Sequence, residues 1–288
     1  MGIGQVISDT FGMVKARFGQ LLGLWAIYFA IFIGLMLALG IGLAATGIAG
    51  FAALESNPLA AGGGMIVLFV LFYLGYLFVA MAQYASLILA ASPLRQIDVG
   101  EALGAGWRAA PAMLLLVVVL AIAYVVVVMV LGLVGTAFSA MGQVGSGLFA
   151  LLTFAVIAWL GCRLAPLFPV MAVDGVRNPF TAISRSWQLT RGHALSIFLV
   201  SLVFVLILAV ACVIALLPSI GVLRSLADPA TLAGAGSAAA PAAGGIALLF
   251  VGVLVVSVLF TLCYCAFLAV IHSKLSGAAG EGAARAFA

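Results

Sequence analysis

NPFTAISRSWQLTRG, residues 178–192, separates two long apolar runs and carries most of the information about how this chain is built. Asn178 followed by Pro179 is a helix start. The Asn side chain accepts from free N–H groups of the first turn, and proline's fixed φ and missing donor suit the first helical position. Phe180, Ile183 and Trp187 then recur on one face, whereas Arg185, Gln188 and Arg191 fall elsewhere. Such a segment is expected to lie at a membrane surface with Trp187 at headgroup depth.

The composition around it belongs to a membrane protein. Of 288 residues, 67% are hydrophobic and 6% charged, and the mean hydropathy is +1.42, far from soluble chains in which about a quarter of residues carry charge. Runs of about 20 apolar residues predict six spans, at 20–47, 64–91, 110–134, 147–171, 194–217 and 243–271. The spans and their connections nearly exhaust the length, which leaves no room for a separate soluble catalytic domain. The residues 1–288 are therefore expected to form a single membrane domain with a short polar tail at 277–288. The first twenty residues lack the features of a cleaved signal and are expected to be retained.

Charge predicts orientation. Lys15, Arg17, Arg95, Arg108, Arg163, Arg177, Arg185, Arg191, Lys274 and Arg285 fall on one side of the predicted spans, and Arg224 on the other. Ten against one puts both termini in the cytoplasm by the positive-inside rule. With a net charge of +4 gathered on one face, the expected partner is the anionic lipid of the inner leaflet, with a membrane protein as a second candidate, and not nucleic acid.

The opening motif has relatives within the chain. A slide of 80 residues places Asp98 on Asn178, Ala102 on Ala182 and Trp107 on Trp187, and Asp98 with Glu101 has capping-box spacing. At the start of the chain Ile3, Val6, Ile7, Phe11, Val14 and Phe18 recur at helical spacing, with Phe11 in the tryptophan's place. The fold class is thus expected to be all-α and polytopic: six transmembrane helices, three cytoplasmic-side amphipathic interfacial helices, and a parallel three-fold internal repeat with units of about 1–92, 93–172 and 173–276. The connections 50–63 and 135–146 read as outer loops, and 218–242 as a longer flexible one. Gly34, Gly40, Gly42, Gly47 and Gly50 predict close packing of the first span, either centrally or against a partner chain.

Little here points to catalysis. Seven acids and two histidines form none of the familiar hydrolase, nucleotide-binding or metal patterns, so neither enzyme activity, metal nor cofactor is expected. Cys162, Cys212, Cys263 and Cys265 all fall in spans and read as apolar filler. The candidate interface residues are Lys15, Arg17, Trp107, Arg108, Arg185, Trp187 and Arg191. Within the membrane the candidates are Arg163, read chiefly as snorkelling toward the headgroups, and Asp174, which could pair with it if Pro166 and Pro169 bend the chain back.

IGQVISDTFGMVKARFGQLLGL at the start and VMAVDGVRNPFTAISRSWQLTRGHALSIF in the middle resemble the membrane domain fused to some glycerophosphoryl diester phosphodiesterases, and its stand-alone relatives. Ala182, Ile183, Arg185, Ser186, Trp187, Leu189, Thr190 and Gly192 carry the sharpest part of the resemblance, which extends over nearly the whole chain. It implies a bacterial inner-membrane protein of six spans with a scaffold or accessory role near lipid metabolism, and it implies no diesterase activity. The competing expectation is a transporter or lipid-translocating protein with a path along the pseudo-threefold axis.

Overall fold

The structure, a computed structural model, describes the backbone of residues 2–53, 58–217 and 242–286, and the side chains of residues 2–45, 63–64, 66–217, 245 and 247–277. Glu55, Arg224, Asp228, the connection 218–241 and the side chains of Glu281 and Arg285 lie outside the described residues. Within them the chain is helical: α1 (Ile3–Ala16), α2 (Phe18–Ala53), α3 (Pro58–Ala91), α4 (Val99–Ser139), α5 (Gly142–Leu164), α6 (Leu167–Ala172), α7 (Pro179–Leu189), α8 (Ala194–Leu216) and α9 (Ala242–Ala286). Six helical stretches are long and apolar enough to cross a membrane, at Phe18–Ala45, Ile66–Ala91, Val99–Ser139, Gly142–Ala172, Ala194–Leu216 and Ala247–Gly277. The protein is a multi-pass membrane protein.

Local chemistry sets most of the helix ends. Asn178 caps α7 by accepting from the Phe180 N–H at 3.0 Å, with Pro179 in the first turn. Asp98 caps α4 by accepting from the Glu101 N–H at 2.6 Å. Pro166 and Pro169 end α5 and set off the short α6. Gly142, with φ of +72°, makes the tight turn from α4 to α5 in a conformation other residues adopt only with strain.

Three expectations need correction. Residues 98–107 do not form a separate surface helix: α4 runs unbroken for 41 residues from Val99, with Pro111 inside it. Ala102, Gly106, Ala110, Met113 and Leu116 make one buried stripe that continues past the proline and holds both halves of α4 in line. The described parts of the outer connections 50–63 and 135–146 are largely helix, because α2, α3, α4 and α5 extend into them. The glycine-rich first span is not central. A side chain on Gly34 or Gly40 would meet nothing within 4 Å, and of the three described glycines among the five it is Gly42 that α3 approaches, through Leu68. The expected polar tail, meanwhile, continues α9 as helix to Ala286.

The core gathers toward one end of the bundle. It comprises the C-terminal half of α3, the stretch of α9 from Leu262 to Leu275, α6 and the facing residues of α2, α4 and α8, including Tyr28, Ile88, Met113, Leu167 and Phe204. Half of the most apolar window of α9 is buried, against 6% for α2 and for α5, so α9 is the central helix. Phe204 of α8 stacks on Phe267 of α9 with ring centroids 4.1 Å apart and planes 2° from parallel. Away from this end the helices present Ile41, Val70, Tyr124, Leu151, Val205 and Phe250 outward, as a lipid-facing surface requires.

The three motif segments bury in the same phase. Val6, Thr10 and Val14 are buried in α1; Ala102, Gly106 and Ala110 in α4; Ala182, Ser186 and Thr190 at α7. Each row steps by four residues, one face of a helix. In each, the aromatic residue, Phe11, Trp107 or Trp187, directly follows the central buried position.

Candidate functional site: the basic end of the bundle

The cations that the sequence places together are brought to one end by contacts among themselves and their neighbours. Arg17, between α1 and α2, donates through Nη1 to the carbonyls of Ala90 at 2.7 Å, Arg95 at 3.2 Å and Ser92 at 3.4 Å. The Ala90 oxygen is in the last turn of α3, where carbonyls lack helical partners, the other two lie in the loop that follows, and a cation there also opposes the negative end of the helix dipole. Gln20 donates to the carbonyl of Ile97 in the same loop. Arg17 therefore caps the end of α3. Arg17→Gln is expected to cost about 1 kcal/mol or more, since several carbonyls lose a charged donor, while the exposed Lys15 tolerates the same change. Thermal stability of both variants in one detergent checks this.

Asp174 forms the second knot. Its Oδ2 lies 2.8 Å from Arg185 Nε and 3.3 Å from His272 Nε2, which ties the loop before α7 to α7 itself and to α9. His272 is fully buried and its Nδ1 has no partner, which fits the neutral tautomer with Nε2 donating to the carboxylate. Lys274 pairs with Asp9 at 2.7 Å and fastens α1 to α9. The alternative pairing of Asp174 with Arg163 does not form; Arg185 and His272 are its partners instead. No hydrogen bond among the described residues joins Asp98 or His193 to this knot: Asp98 caps α4, and His193 Nδ1 faces the Arg191 carbonyl.

Arg163 sits between two tryptophans. Its guanidinium carbon is 5.0 Å from the Trp187 ring centroid and 5.4 Å from that of Trp159, and the two indoles meet edge to face at 5.2 Å. Nη1 donates to the Trp187 carbonyl at 3.3 Å and approaches Thr190 Oγ1 at 3.5 Å, while the Ser186 hydroxyl donates to the Arg163 carbonyl at 2.7 Å. Arg163 is thus held by α7 as a clasp. Beside it an apolar groove of about 430 Å³ runs between α5 and α8, lined by Phe154, Trp159, Cys162, Leu195 and Phe198.

This clasp orients α7 in a way the sequence does not show. The face turned to the protein is the small one, Ala182, Ser186 and Thr190, and the aromatic residues look outward: Phe180 is 70% exposed and Trp187 37%. Arg191 is exposed alongside them. Trp107, expected at the interface, is instead drawn inward, 5.6 Å from Phe78 and 6.2 Å from Tyr28. The difference lies in the preceding residue, because Gly106 lets α4 close onto Ser86 of α3.

Arg108 is exposed, with Nε bonded back to the Gly104 carbonyl at 3.2 Å. Together with Arg95 and Arg177 it lines a cavity of about 180 Å³ between α4 and α6, closed by Leu89, Ala105 and Met171. Sequence reasoning placed these three arginines on one side of the membrane without bringing them together. Among the described residues, no group of histidine, cysteine and acidic side chains has the arrangement of a metal site, and the four cysteines are unpaired.

The segment that builds both the clasp and the Asp174 knot runs from α5 through α9, and it is the part of the chain that comparison with known families picks out. Residues 139–276 match the family of the membrane domain of glycerophosphoryl diester phosphodiesterase. The match to this membrane-domain family covers just under half of the chain and includes Arg163, Asp174, Arg185, Trp187 and His272; the resemblance read at the first residues lies outside it. No curated protein and no solved structure matches the chain.

Proposed function

We propose that this chain is a non-enzymatic inner-membrane protein with a scaffold or accessory role in envelope or lipid homeostasis, which holds anionic lipid through its basic end. The observation that carries this reading is the outward face of α7, where Phe180 and Trp187 are exposed next to Arg191. In water that face would be costly; at a membrane surface the rings enter the headgroup region and the cation meets lipid phosphate. Phe11 of α1 and Phe18 at the start of α2, 37% and 42% exposed, give a similar edge on either side of Lys15 in the sequence. By charge asymmetry this end is cytoplasmic, as are both termini, and the three motif segments are the repeated unit. The match to the membrane domain of glycerophosphoryl diester phosphodiesterase supports a place near phospholipid turnover.

The translocation reading has less support. The buried polar residues among those described, Thr10, Ser86, Ser92, Ser186, Thr190 and His272, cluster in the basic-end core, and the described outer halves of the helices offer apolar side chains.

The test is reconstitution in nanodiscs that contain phosphatidylglycerol and phosphatidylcholine. Wild-type protein is expected to enrich phosphatidylglycerol in its lipid shell, and the double variant Phe180→Ser, Arg191→Gln to lose about half of that enrichment, with each basic residue contributing on the order of 1 kcal/mol. Unchanged enrichment in the variant would remove the reading.

A further inference from the structure

We propose that the cavity between α4 and α6 is a binding site for a phosphate group, held by Arg95, Arg108 and Arg177. The inference deepens the lipid-contact reading and rests on it for the source of the phosphate. Three arginines from three separate segments line one cavity of about 180 Å³, large against the 10–15 Å³ or so that admits a single water. The cavity lining contains no carboxylate. The ion pairs among the described residues use Arg185, His272 and Lys274, and leave these three arginines without an acidic partner. Like charges gathered around a pocket repel one another unless an anion joins them. Guanidinium forks suit the oxygens of a phosphate better than a single carboxylate could satisfy three of them.

The site is also held in place from outside. The Arg95 carbonyl accepts from Arg17, which fixes the loop that carries it. Arg177 follows the turn at Gly175, whose φ of +71° requires glycine, and that turn is pinned one residue earlier by Asp174 bound to Arg185 and His272. Arg108 stands on α4, one turn beyond the glycine carbonyl that fixes its Nε. Arginine side chains mounted on restrained backbone lose less freedom on binding, so less of the interaction is spent on ordering. The apolar wall of Ala105, Ala109 and Met171 excludes water from one side of the group and suits the glycerol end of a phospholipid. A metal cation is disfavoured by the same three charges.

Three forms of the full chain decide the matter: wild type, the pocket variant Arg95→Gln with Arg177→Gln, and the surface variant Phe180→Ser with Arg191→Gln. Native mass spectrometry after mild delipidation counts retained phosphatidic acid or phosphatidylglycerol. A second arm follows protection of lipid-free protein from thermal unfolding by inorganic phosphate. The pocket variant is expected to lose tightly retained anionic lipid by about tenfold or more, as expected when charge-assisted bonds are removed, while the surface variant keeps it. Ala105→Leu, which fills the cavity and leaves every charge in place, is expected to give the same loss, so a fault in folding of the double variant does not decide the result. Protection by inorganic phosphate in wild type but not in the pocket variant identifies a soluble phosphate as the source; displacement by lipid alone identifies the headgroup. Retention equal to wild type in both the pocket variant and Ala105→Leu overturns the site. If the surface variant still loses lipid enrichment in that case, the reading of α7 survives without the pocket; if neither set changes anything, both fall.

Discussion

Replacement of Gly106 by leucine is expected to leave little folded protein. A Cβ at this position would lie 2.6 Å from the backbone carbonyl oxygen of Ala82 and closer still to the Ser86 hydroxyl. The carbonyl belongs to a helix and cannot turn away, and the hydroxyl is engaged with Tyr28 at 2.9 Å. Even Gly106→Ala therefore separates α3 from α4 and is expected to cost about 1–3 kcal/mol, the usual range for overpacking, with leucine well beyond it. Gly104, two residues earlier, supplies the control: nothing lies within 4 Å of a Cβ there, and Gly104→Ala is expected to be neutral or stabilising by up to about 1 kcal/mol through helix propensity. Measured midpoints of thermal unfolding in detergent for the three variants should fall in the order Gly104→Ala, Gly106→Ala, Gly106→Leu. Equal stability of Gly104→Ala and Gly106→Ala would mean that α3 and α4 do not pack as described.

Asp174→Ala is expected to have the next largest effect. It removes the acceptor of a fully buried His272 and the partner of a half-exposed Arg185. Loss of the acceptor leaves an unsatisfied buried donor, at about 1–3 kcal/mol; the ion pair adds at most about 1 kcal/mol, because Arg185 is 49% exposed and screened. Asp174→Asn keeps an acceptor oxygen and should recover more than half of the loss, whereas Arg185→Gln alone should be mild. If Asp174→Asn is as damaging as Asp174→Ala, charge rather than hydrogen bonding holds the knot. The position also explains why Arg185→Glu is a poor probe of lipid binding: it sets a second carboxylate against Asp174 and disturbs the fold first.

Much of the architecture was legible from the residues because it depends on neighbours close in sequence. Six spans follow from hydropathy, and Asn178 and Asp98 are capping residues wherever a helix follows them. Trp107 and Trp187 show the limit. They occupy the same place in the same motif, yet one packs among Tyr28 and Phe78 and the other faces out, because the residue before each differs: Gly106 admits another helix, Ser186 reaches for the Arg163 carbonyl. The separate helix expected at 98–107 failed for a related reason, since the stripe that carries α4 past Pro111 is defined by what α3 presents to it. The capping role of Arg17 is invisible in the sequence because its partners lie more than seventy residues away. The juxtaposition of Arg95, Arg108 and Arg177 is tertiary altogether, and no spacing in the chain announces it.

The central position of α9 bears on how the molecule is made. Leu262 to Ile271 fill the middle of the core, and Lys274 reaches Asp9 in the first helix, so a segment made after α1 to α8 is the one those helices need. Until then the earlier helices wait in the bilayer with their inner faces against acyl chains, and α1 has no mooring. Assembly of this end is consequently a late, all-together event, and a chain stalled before residue 262 would present itself to membrane proteases as loose hairpins.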